Sequence, residues 1–400
     1  MTAASRQGSR TGRLLAHAES RLEGYLAELA ELVAVDSGSY SPAGVNRVAD
    51  RVAGRLAGLG FAVERVDGGP DSGDVLVARR RGSLAPEHGG RRVLLAAHMD
   101  TVFPDGTAAA RPFSRSGPLA HGPGVSDDKG GLLAGLAALE VLDLTGVSDY
   151  AELVFLATPD EEIGSPFSRA VTERVARGVD CALALECARE NGDLVVARKG
   201  VADFLLTVTG RAAHSGIEPE RGANAALAAA HLVVELQALN GRWPGVTVNV
   251  GVVRAGERTN IVCPEAELQV EVRSVSAEGM SLARAAIESL AAVEVVEGTS
   301  AKVRQLDLCP PMEATPEGGR MLAQAVTLGE ELGLTFGAAA TGGVGDANII
   351  SGVGVPVLDG LGPVGGADHT PEEWLDTTTV PSRIALLAGL VAALGDARRD

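Results

Sequence analysis

The spacing of apolar residues changes along the chain, from helical periodicity near the start to short apolar runs further on. Residues 14–35 and 45–59 carry apolar side chains every three or four positions, which is typical of amphipathic helices. Gly60 suits the C-terminal cap of the second helix. Helical stretches such as 131–142 then alternate with apolar runs at residues 93–97, 153–157 and 182–185. This alternation predicts an α/β fold with a mixed, mostly parallel sheet flanked by helices.

A different order of elements is expected between residues 199 and 308. It runs strand, helix, strand, strand, helix, strand, which is typical of a ferredoxin-like α+β domain. The α/β pattern returns after residue 308. We therefore expect a discontinuous larger domain with a smaller domain inserted into it. The predicted boundaries are residues 1–198 for the first part, with 1–18 as a loose tail, 199–308 for the insert and 309–400 for the second part.

The composition is that of a large folded chain. Of its 400 residues, 46% are hydrophobic and 22% are charged, which favours a globular protein of two domains over a disordered one. The first residues contain no apolar core of signal-peptide length, and no uninterrupted apolar stretch reaches the length of a membrane helix. We therefore expect a cytoplasmic protein without a membrane partner.

The charge and the cysteines narrow the function classes. A formal net charge of -17 repels a phosphate backbone, so nucleic acid is not expected as a partner. The same acidity suits a local site that binds cations. The four cysteines form no C-x-x-C pair of the kind found in zinc fingers or redox motifs, and we expect them to be reduced. They are Cys181, Cys187, Cys263 and Cys309.

Acidic and histidine residues follow the predicted strands where each strand ends. In chain order these residues are His98 and Asp100, then Glu161 and Glu162, then Glu186. Because neighbouring strand ends converge on one crevice of an open α/β sheet, we expect these side chains to lie together. Histidine and carboxylate groups are ligands for divalent metal ions, and a spare carboxylate beside them suits a two-metal hydrolase.

Each of these signals has a simpler interpretation when it is taken alone. Asp127 and Asp128 precede an apolar helix and suit its N-cap. The acidic triplet at 160–162 suits a solvated turn, Glu186 a surface position and His369 a hydrogen-bonded loop. Their joint occurrence after successive strands favours a metal site over a separate explanation for each of them.

Four segments resemble the motifs of metallopeptidase family 20. That family contains glutamate carboxypeptidase, acetylornithine deacetylase, succinyl-diaminopimelate desuccinylase and aminoacylase. The resemblance extends in the family's order over nearly the whole chain, includes the insert, and is strongest toward the glutamate carboxypeptidase branch. The segments are residues 97–102 (AHMDTV), 122–131 (GPGVSDDKGG), 158–165 (TPDEEIGS) and 210–216 (GRAAHSG).

The resemblance implies a zinc-peptidase-like catalytic domain with two Zn²⁺ in each subunit, which Co²⁺ or Mn²⁺ can replace. It implies that Asp127 bridges the two ions and that Glu161 binds no metal and acts as the general base. It also implies that the peptide bond after Asp127 is cis. Asp100, two residues from His98 in an extended segment, points to the same side and is expected to orient the imidazole. The implied ligands are His98 and Glu186 for one ion, Glu162 and His369 for the other, and Asp127 for both.

The resemblance also assigns roles in the insert. His214, which alone would be a turn residue, is implied to stabilise the oxyanion in the active site of the partner subunit, so we expect a homodimer. Asn260 and Arg273 fall where the branch holds the terminal carboxylate of its substrate, and the glycine-rich loop at Gly343 resembles the family's substrate loop. Arg273 taken alone also suits a surface salt bridge. Cys187 departs from the family's pattern and leaves the substrate open.

These features imply a hydrolase of the amide bond in N-acyl amino acids or small peptides that have a free carboxylate. An aminopeptidase or an N-deacylase of a pathway-specific amide is the alternative among enzymes. A catalytically silent binding protein on the same fold is the alternative from another class. Substrate panels separate the first two functions, and metal analysis separates the third.

Overall fold

The structure, a computed structural model, describes residues 9–399. The chain divides into two compact units. The larger unit contains the chain up to Val196, Ala314–Ala340, and the chain from Gly345 onward. The smaller unit contains Ala197–Glu313 and Thr341–Val344.

Helices and strands alternate along the chain. The first part contains α1 (Arg10–Val33), α2 (Pro42–Gly58), β1 (Ala62–Val66), β2 (Val75–Arg81), β3 (Arg92–His98), α3 (Thr107–Ala110), β4 (Ser114–Ser116), β5 (Leu119–His121), α4 (Lys129–Leu144), β6 (Glu152–Thr158), α5 (Arg169–Ala176), β7 (Cys181–Ala184) and β8 (Leu194–Arg198). The middle part contains β9 (Gly200–Thr209), α6 (Ala225–Gln237), β10 (Thr247–Ala255), β11 (Glu265–Ser274), α7 (Ala277–Ala291) and β12 (Ser300–Cys309). The last part contains α8 (Pro316–Leu332), β13 (Ala338–Thr341), α9 (Asp346–Gly352), β14 (Val357–Leu358), β15 (Gly365–Gly366), β16 (Trp374–Asp376) and α10 (Val380–Leu394).

Helix α1 begins earlier than the sequence pattern predicts. The Ser9 side chain accepts a hydrogen bond from the Gly12 N–H at 3.0 Å and caps the helix. Leu14 and Ala18 are buried in the core of the larger unit. Residues 10–18 of the expected tail are therefore helical, and residues 1–8 lie outside the described residues.

The larger unit is built on a six-stranded sheet with the order β1-β2-β6-β3-β7-β14. Strands β6, β3, β7 and β14 run parallel to one another, whereas β2 is antiparallel to both β1 and β6. Leu95 and Ala97 of β3 face a core that also includes residues of α1, α4 and α10. Leu94 and Ala96, which point to the opposite face, are buried as well, and α9 contacts β3 there. The mixed sheet flanked by helices that the sequence predicts is confirmed.

A second, smaller sheet of the larger unit joins two distant segments. Its order is β15-β16-β5-β4, and Trp374 pairs with His121 while Gly365 pairs with Leu375. This sheet holds the segment before α4 against the segment that contains residue 369. The loops that follow β5 and β15 are thereby brought together.

The smaller unit is a four-stranded antiparallel sheet with the order β10-β11-β9-β12. Its elements follow the predicted strand-helix-strand-strand-helix-strand order. Helices α6 and α7 pack on the sheet through Leu232, Leu236 and Ile287, which share a buried cluster with Phe204 and Leu268. The ferredoxin-like α+β fold expected for the insert is confirmed.

Within residues 9–399, none of the helices combines the length and the apolar character that a membrane span requires.

Candidate metal centre

Three parallel strands end at the same edge of the large sheet. His98 is the last residue of β3 and lies opposite Thr158, the last residue of β6. On the other side of β3, Ala96 lies opposite Ala184, the last residue of β7. The segments that follow these strands therefore leave the sheet side by side, at the edge where open α/β sheets form their sites.

The carboxylate of Asp127 lies between two histidines. Its Oδ1 is 2.9 Å from His98 Nε2, and its Oδ2 is 3.1 Å from His369 Nε2. Glu162 Oε2 is 2.9 Å from His369 Nε2, and Glu186 Oε1 is 3.9 Å from His98 Nε2. The structure thus brings together all five residues that the sequence comparison suggests as metal ligands, and all five belong to the larger unit.

These separations fit two divalent metal ions. With metal–nitrogen and metal–oxygen bonds of about 2.0–2.2 Å, tetrahedral ligand atoms lie roughly 3.3–3.6 Å apart. The observed donor separations of 2.9 to 3.9 Å bracket that value. One ligand atom from each of His98, Asp127 and Glu162 also lies within 4.8 Å of the others. Since the two oxygens of Asp127 face different histidines, this carboxylate is placed to bridge two ions.

Asp100 organises the centre although it lies outside the ligand set. Its carboxylate is fully buried and is 3.2 Å from His98 Nδ1. It also accepts hydrogen bonds from the Ser39 hydroxyl at 2.7 Å and from the N–H groups of Glu161 and Glu162, both at 3.2 Å. With Nδ1 donating to Asp100, Nε2 is the ring nitrogen of His98 that faces Asp127, and it is the nitrogen left to bind metal once it has lost its proton.

Glu161 and Glu162 differ in their contacts. Glu162 pairs with His369, whereas the Glu161 carboxylate makes no hydrogen bond within residues 9–399. Geometry alone leaves Glu161 a potential ligand, because it forms a group with His98 and Glu186 whose ligand atoms lie within 4.8 Å. Burial raises the pKa of the Glu161 carboxyl well above its ordinary value; His98 opposes this change and the Glu186 carboxylate adds to it. A carboxylate with these contacts suits proton transfer.

His369 is held in an uncommon backbone conformation. Its φ is 63°, in the left-handed region, and Ala367 two residues earlier has a φ of 56°. Such conformations are infrequent outside glycine and persist where the surrounding structure holds them. Here the pairing of β15 with β16 closes the loop on both sides.

Comparison with known proteins identifies the family. A sequence profile for peptidase family M20/M25/M40 matches residues 94–393. The chain belongs to this family.

Two relatives and one solved structure illustrate the range of this family. Carboxypeptidase G2 of Pseudomonas sp. strain RS-16 is 32% identical over 371 residues, which cover 92% of this chain and 88% of the relative. Acetylornithine deacetylase of Salmonella arizonae is 31% identical over 247 residues, which cover 58% and 61%. The crystal structure of aminopeptidase PepT from Bacillus cereus has a TM-score of 0.79 and 26% identity, and covers 93% of this chain and 98% of that one. Family M20 is metal-dependent, and this member is a metallopeptidase or deacylase.

The other site residues that the sequence suggests belong to the smaller unit: His214, Asn260, Arg273 and Gly343. His214 and Asn260 are exposed and lie on adjacent segments, since His214 forms a bridge with Ile261 and the Ser215 N–H donates to the Asn260 carbonyl at 3.1 Å. His214 Nδ1 accepts a hydrogen bond from the Gly216 N–H at 3.1 Å. In the neutral ring this places the proton on Nε2, which is then a donor.

Arg273 is engaged within its own unit. Its Nε and one terminal nitrogen donate to the Glu271 carboxylate at 2.9 and 3.0 Å, and the other terminal nitrogen donates to the Gly342 carbonyl at 2.7 Å. A guanidinium has five N–H groups, so two of them make none of these bonds. The Gly343 carbonyl is 3.5 Å from a terminal nitrogen of Arg198, the last residue of β8. The loop at Gly343 therefore lies beside both Arg198 and Arg273.

Asp127 and Asp128, the acidic pair before α4, have different contacts. Asp128 occupies the N-cap position of α4, yet its side chain makes no capping hydrogen bond. It accepts instead from the His98 N–H at 3.3 Å. The peptide bond between Asp127 and Asp128 is cis, as the resemblance implies.

Glu373 supports the metal centre, although no sequence pattern singles it out. Its buried carboxylate accepts hydrogen bonds from the N–H groups of Gly124, Ser126 and Asp127 at 2.9, 2.8 and 3.1 Å. Burial raises the pKa of this carboxyl to about 7, against the effect of the three N–H groups. Since Glu373 follows His369 by four residues, it joins the two loops that supply Asp127 and His369.

We predict that Glu373→Ala lowers the affinity for divalent metal about 10-fold to 100-fold, the range typical of residues that support metal ligands. The reason is that three N–H groups around Asp127 lose their acceptor. Competition with a chromophoric chelator measures the affinity. The exposed neighbour Glu372 offers a matched control, and Glu372→Ala should bind metal like the unmodified protein. Equal affinities for the two variants would show that Glu373 does not position the centre.

We also predict that metal binding releases protons. The hydrogen bonds of His369 with Asp127 and Glu162 raise its pKa to about 11. Burial lowers the pKa of His98, but its contacts with Asp100 and Asp127 outweigh burial and raise it above the ordinary value. Both imidazoles are therefore protonated at neutral pH without metal, and metal requires the neutral ring.

Protons thus compete with metal below these raised pKa values, so the affinity should rise as the pH increases from about 6 to about 8. Calorimetry in buffers of different ionisation enthalpy measures the protons released. A pH-independent affinity with no proton release would exclude the histidines as ligands.

Proposed function

We propose that this M20 enzyme is a dinuclear zinc hydrolase. Its reaction is cleavage of the amide bond in N-acyl amino acids or small peptides that have a free carboxylate, as in a carboxypeptidase. The two oxygens of Asp127, directed at His98 and His369, are the observation that carries the proposal. The name of carboxypeptidase G2, a relative over most of the chain, supports the substrate class.

The protein's contribution to the reaction is proton transfer and orientation. Two zinc ions, when bound, polarise the amide carbonyl and acidify a water molecule. Glu161, whose carboxylate makes no hydrogen bond within residues 9–399 and lies beside His98 and Glu186, removes the proton from the attacking water. It then returns this proton to the leaving amine. Asp100 fixes the position of the His98 ring and of the Glu161–Glu162 turn through its hydrogen bonds to them, and the Ser39 hydroxyl holds Asp100 itself.

Binding of the substrate carboxylate is assigned to the smaller unit. Asn260, Arg273 and the loop at Gly343 supply amide, guanidinium and backbone groups for it. Arg273 is held toward this loop by the Gly342 carbonyl and by Glu271, and its two remaining N–H groups can bind a carboxylate as a pair.

His214 is proposed to act across a homodimer. Its Nε2 proton, fixed by the Gly216 N–H on the other ring nitrogen, is suited to donate to the oxyanion in the partner subunit's active site. The exposure of His214 is compatible with such a role.

We also propose that the protein works in the cytoplasm. None of its four cysteines, all within the described residues, forms a disulfide, and thiols persist in reducing compartments.

A hydrolysis panel tests the proposed function. We expect turnover of N-acyl amino acids with a free carboxylate, in the presence of Zn²⁺, and its loss with a chelator. Unblocked dipeptides and acetylated amines in the same panel separate the carboxypeptidase from the aminopeptidase and the deacylase. Absence of Zn²⁺-dependent turnover across the panel would overturn the proposal.

The role of Glu161 is tested by Glu161→Gln. This variant should keep two metal ions per chain and lose activity by about 100-fold or more, because the amide cannot accept the proton. Elemental analysis and initial rates measure the two properties. Glu19→Gln, at an exposed position of α1, is the control and should retain full activity. Loss of metal in Glu161→Gln would instead make Glu161 a ligand.

The role of His214 is tested by His214→Ala, which should lower the turnover about 100-fold to 1,000-fold and leave the bound metal unchanged. Mixing this variant with Glu161→Gln tests the exchange between subunits. In a hybrid dimer, one site then carries both defects and the other carries neither, so activity should return. If His214 acts within its own chain, each site of the hybrid has one defect and the mixture stays inactive.

A further inference from the structure

A pocket opens beside the metal centre within the larger unit. Its volume is about 440 Å³, which lies in the range of small-molecule sites. We call it the acyl pocket and define it by its principal lining residues, Tyr40, Val102, Phe103, Pro104, Glu162 and Ile163. Glu162 is the residue that pairs with His369, so the pocket shares a wall with the centre.

The two loops that form the acyl pocket are fixed to each other. The Asp36 carboxylate accepts hydrogen bonds from the Gly106 and Ala108 N–H groups, both at 2.8 Å. Gly38 forms a bridge with Thr101, and a Cβ atom at Gly38 would lie 2.5 Å from the Phe103 carbonyl oxygen. These contacts indicate a pocket that exists before a substrate binds.

The wall of the acyl pocket is mostly apolar, and part of its apolar surface meets solvent. Tyr40 is 81% exposed and Val102 is 40% exposed. Exposed apolar side chains grouped around a concavity are typical of a binding site. Ser39, between these loops, donates to Asp100, which ties the pocket to the residue that orients His98.

The charge of the acyl pocket decides which part of a substrate it can hold. Its charged lining residues are Asp105 and Glu162, and none of the described lining residues is a cation. Behind this wall, the Arg111 guanidinium lies 4.4 Å from the centre of the Phe103 ring and donates a hydrogen bond to the Thr370 carbonyl. A carboxylate in this pocket would face two acids, whereas an uncharged apolar group would bury the exposed wall.

We propose that the acyl pocket binds the acyl group of the substrate, and that this group is large, uncharged and apolar, aromatic or aliphatic. The inference rests on the proposed function. Because the reacting carbonyl is part of the acyl group, the rest of that group must lie next to the metal ligands. It adds the chemical class of the acyl group, which the family leaves open. The carboxylate of the leaving amino acid is thereby directed away from this pocket.

The test compares N-benzoyl, N-acetyl and N-succinyl derivatives of the amino acid that the hydrolysis panel shows to be cleaved fastest. We expect kcat/KM of the unmodified enzyme to be at least about 10-fold higher for the benzoyl than for the acetyl derivative. Val102→Trp, which fills the pocket, should reduce this ratio about 10-fold. Tyr40→Ala should reduce it about 5-fold through loss of the aromatic contact.

A variant with an added positive charge and a matched control extend the test. Val102→Arg should raise kcat/KM for the succinyl relative to the benzoyl derivative about 10-fold, because it supplies the missing cation. Leu144→Ala, at an exposed apolar position at the end of α4, should leave all ratios as in the unmodified enzyme. Calorimetry with the benzoyl derivative and the Glu161→Gln protein should show weaker binding when Val102→Trp is added.

The outcomes are distinguishable. Hydrolysis with ratios that Val102→Trp and Tyr40→Ala leave unchanged would overturn the acyl pocket and leave the proposed function intact. A preference of the unmodified enzyme for the succinyl derivative, or for a dipeptide with a free amine, would also overturn it. Failure to cleave any derivative would overturn the proposed function and, with it, the assignment of the pocket.

Discussion

The buried carboxylate of Asp100 is the group on which the geometry of the metal centre depends. It contacts the ring nitrogen of His98 that does not face Asp127, and it accepts the N–H groups of Glu161 and Glu162. One side chain thereby sets the direction of a histidine from β3 and the path of the turn after β6. A buried carboxylate is costly unless its oxygens are hydrogen-bonded, and the Ser39 hydroxyl supplies a further donor. The same contacts that stabilise Asp100 therefore also position the site.

The topology supplies the rest of the arrangement. Parallel pairing of β3 with β6 and β7 gathers three of the five proposed ligands, His98, Glu162 and Glu186, at a single sheet edge. The small sheet of β15, β16, β5 and β4 brings in the other two, because it holds the loop of Asp127 against the loop of His369. Glu373 then joins these loops through backbone hydrogen bonds. The centre thus depends on two sheets of the same unit.

Part of this arrangement is predictable from the sequence for a physical reason. Strands β3, β6 and β7 are buried on both faces and so appear as continuous apolar runs, after which polar residues stand out. Strands of two or three residues, such as β15, have no detectable period. Glu373 is not distinguishable in sequence from the exposed Glu372 beside it. The first turn of α1, residues 10–13, precedes the apolar period that begins at Leu14, so the pattern does not predict it.

In the proposed enzyme, Asp127 bridges two metal ions. Crystals grown with Zn²⁺ and measured on both sides of the zinc absorption edge test it directly. We expect two anomalous peaks about 3.5–4 Å apart, one beside His98 and Glu186 and the other beside Glu162 and His369, with Asp127 between them. A single peak, or two peaks that Asp127 does not contact, would contradict it.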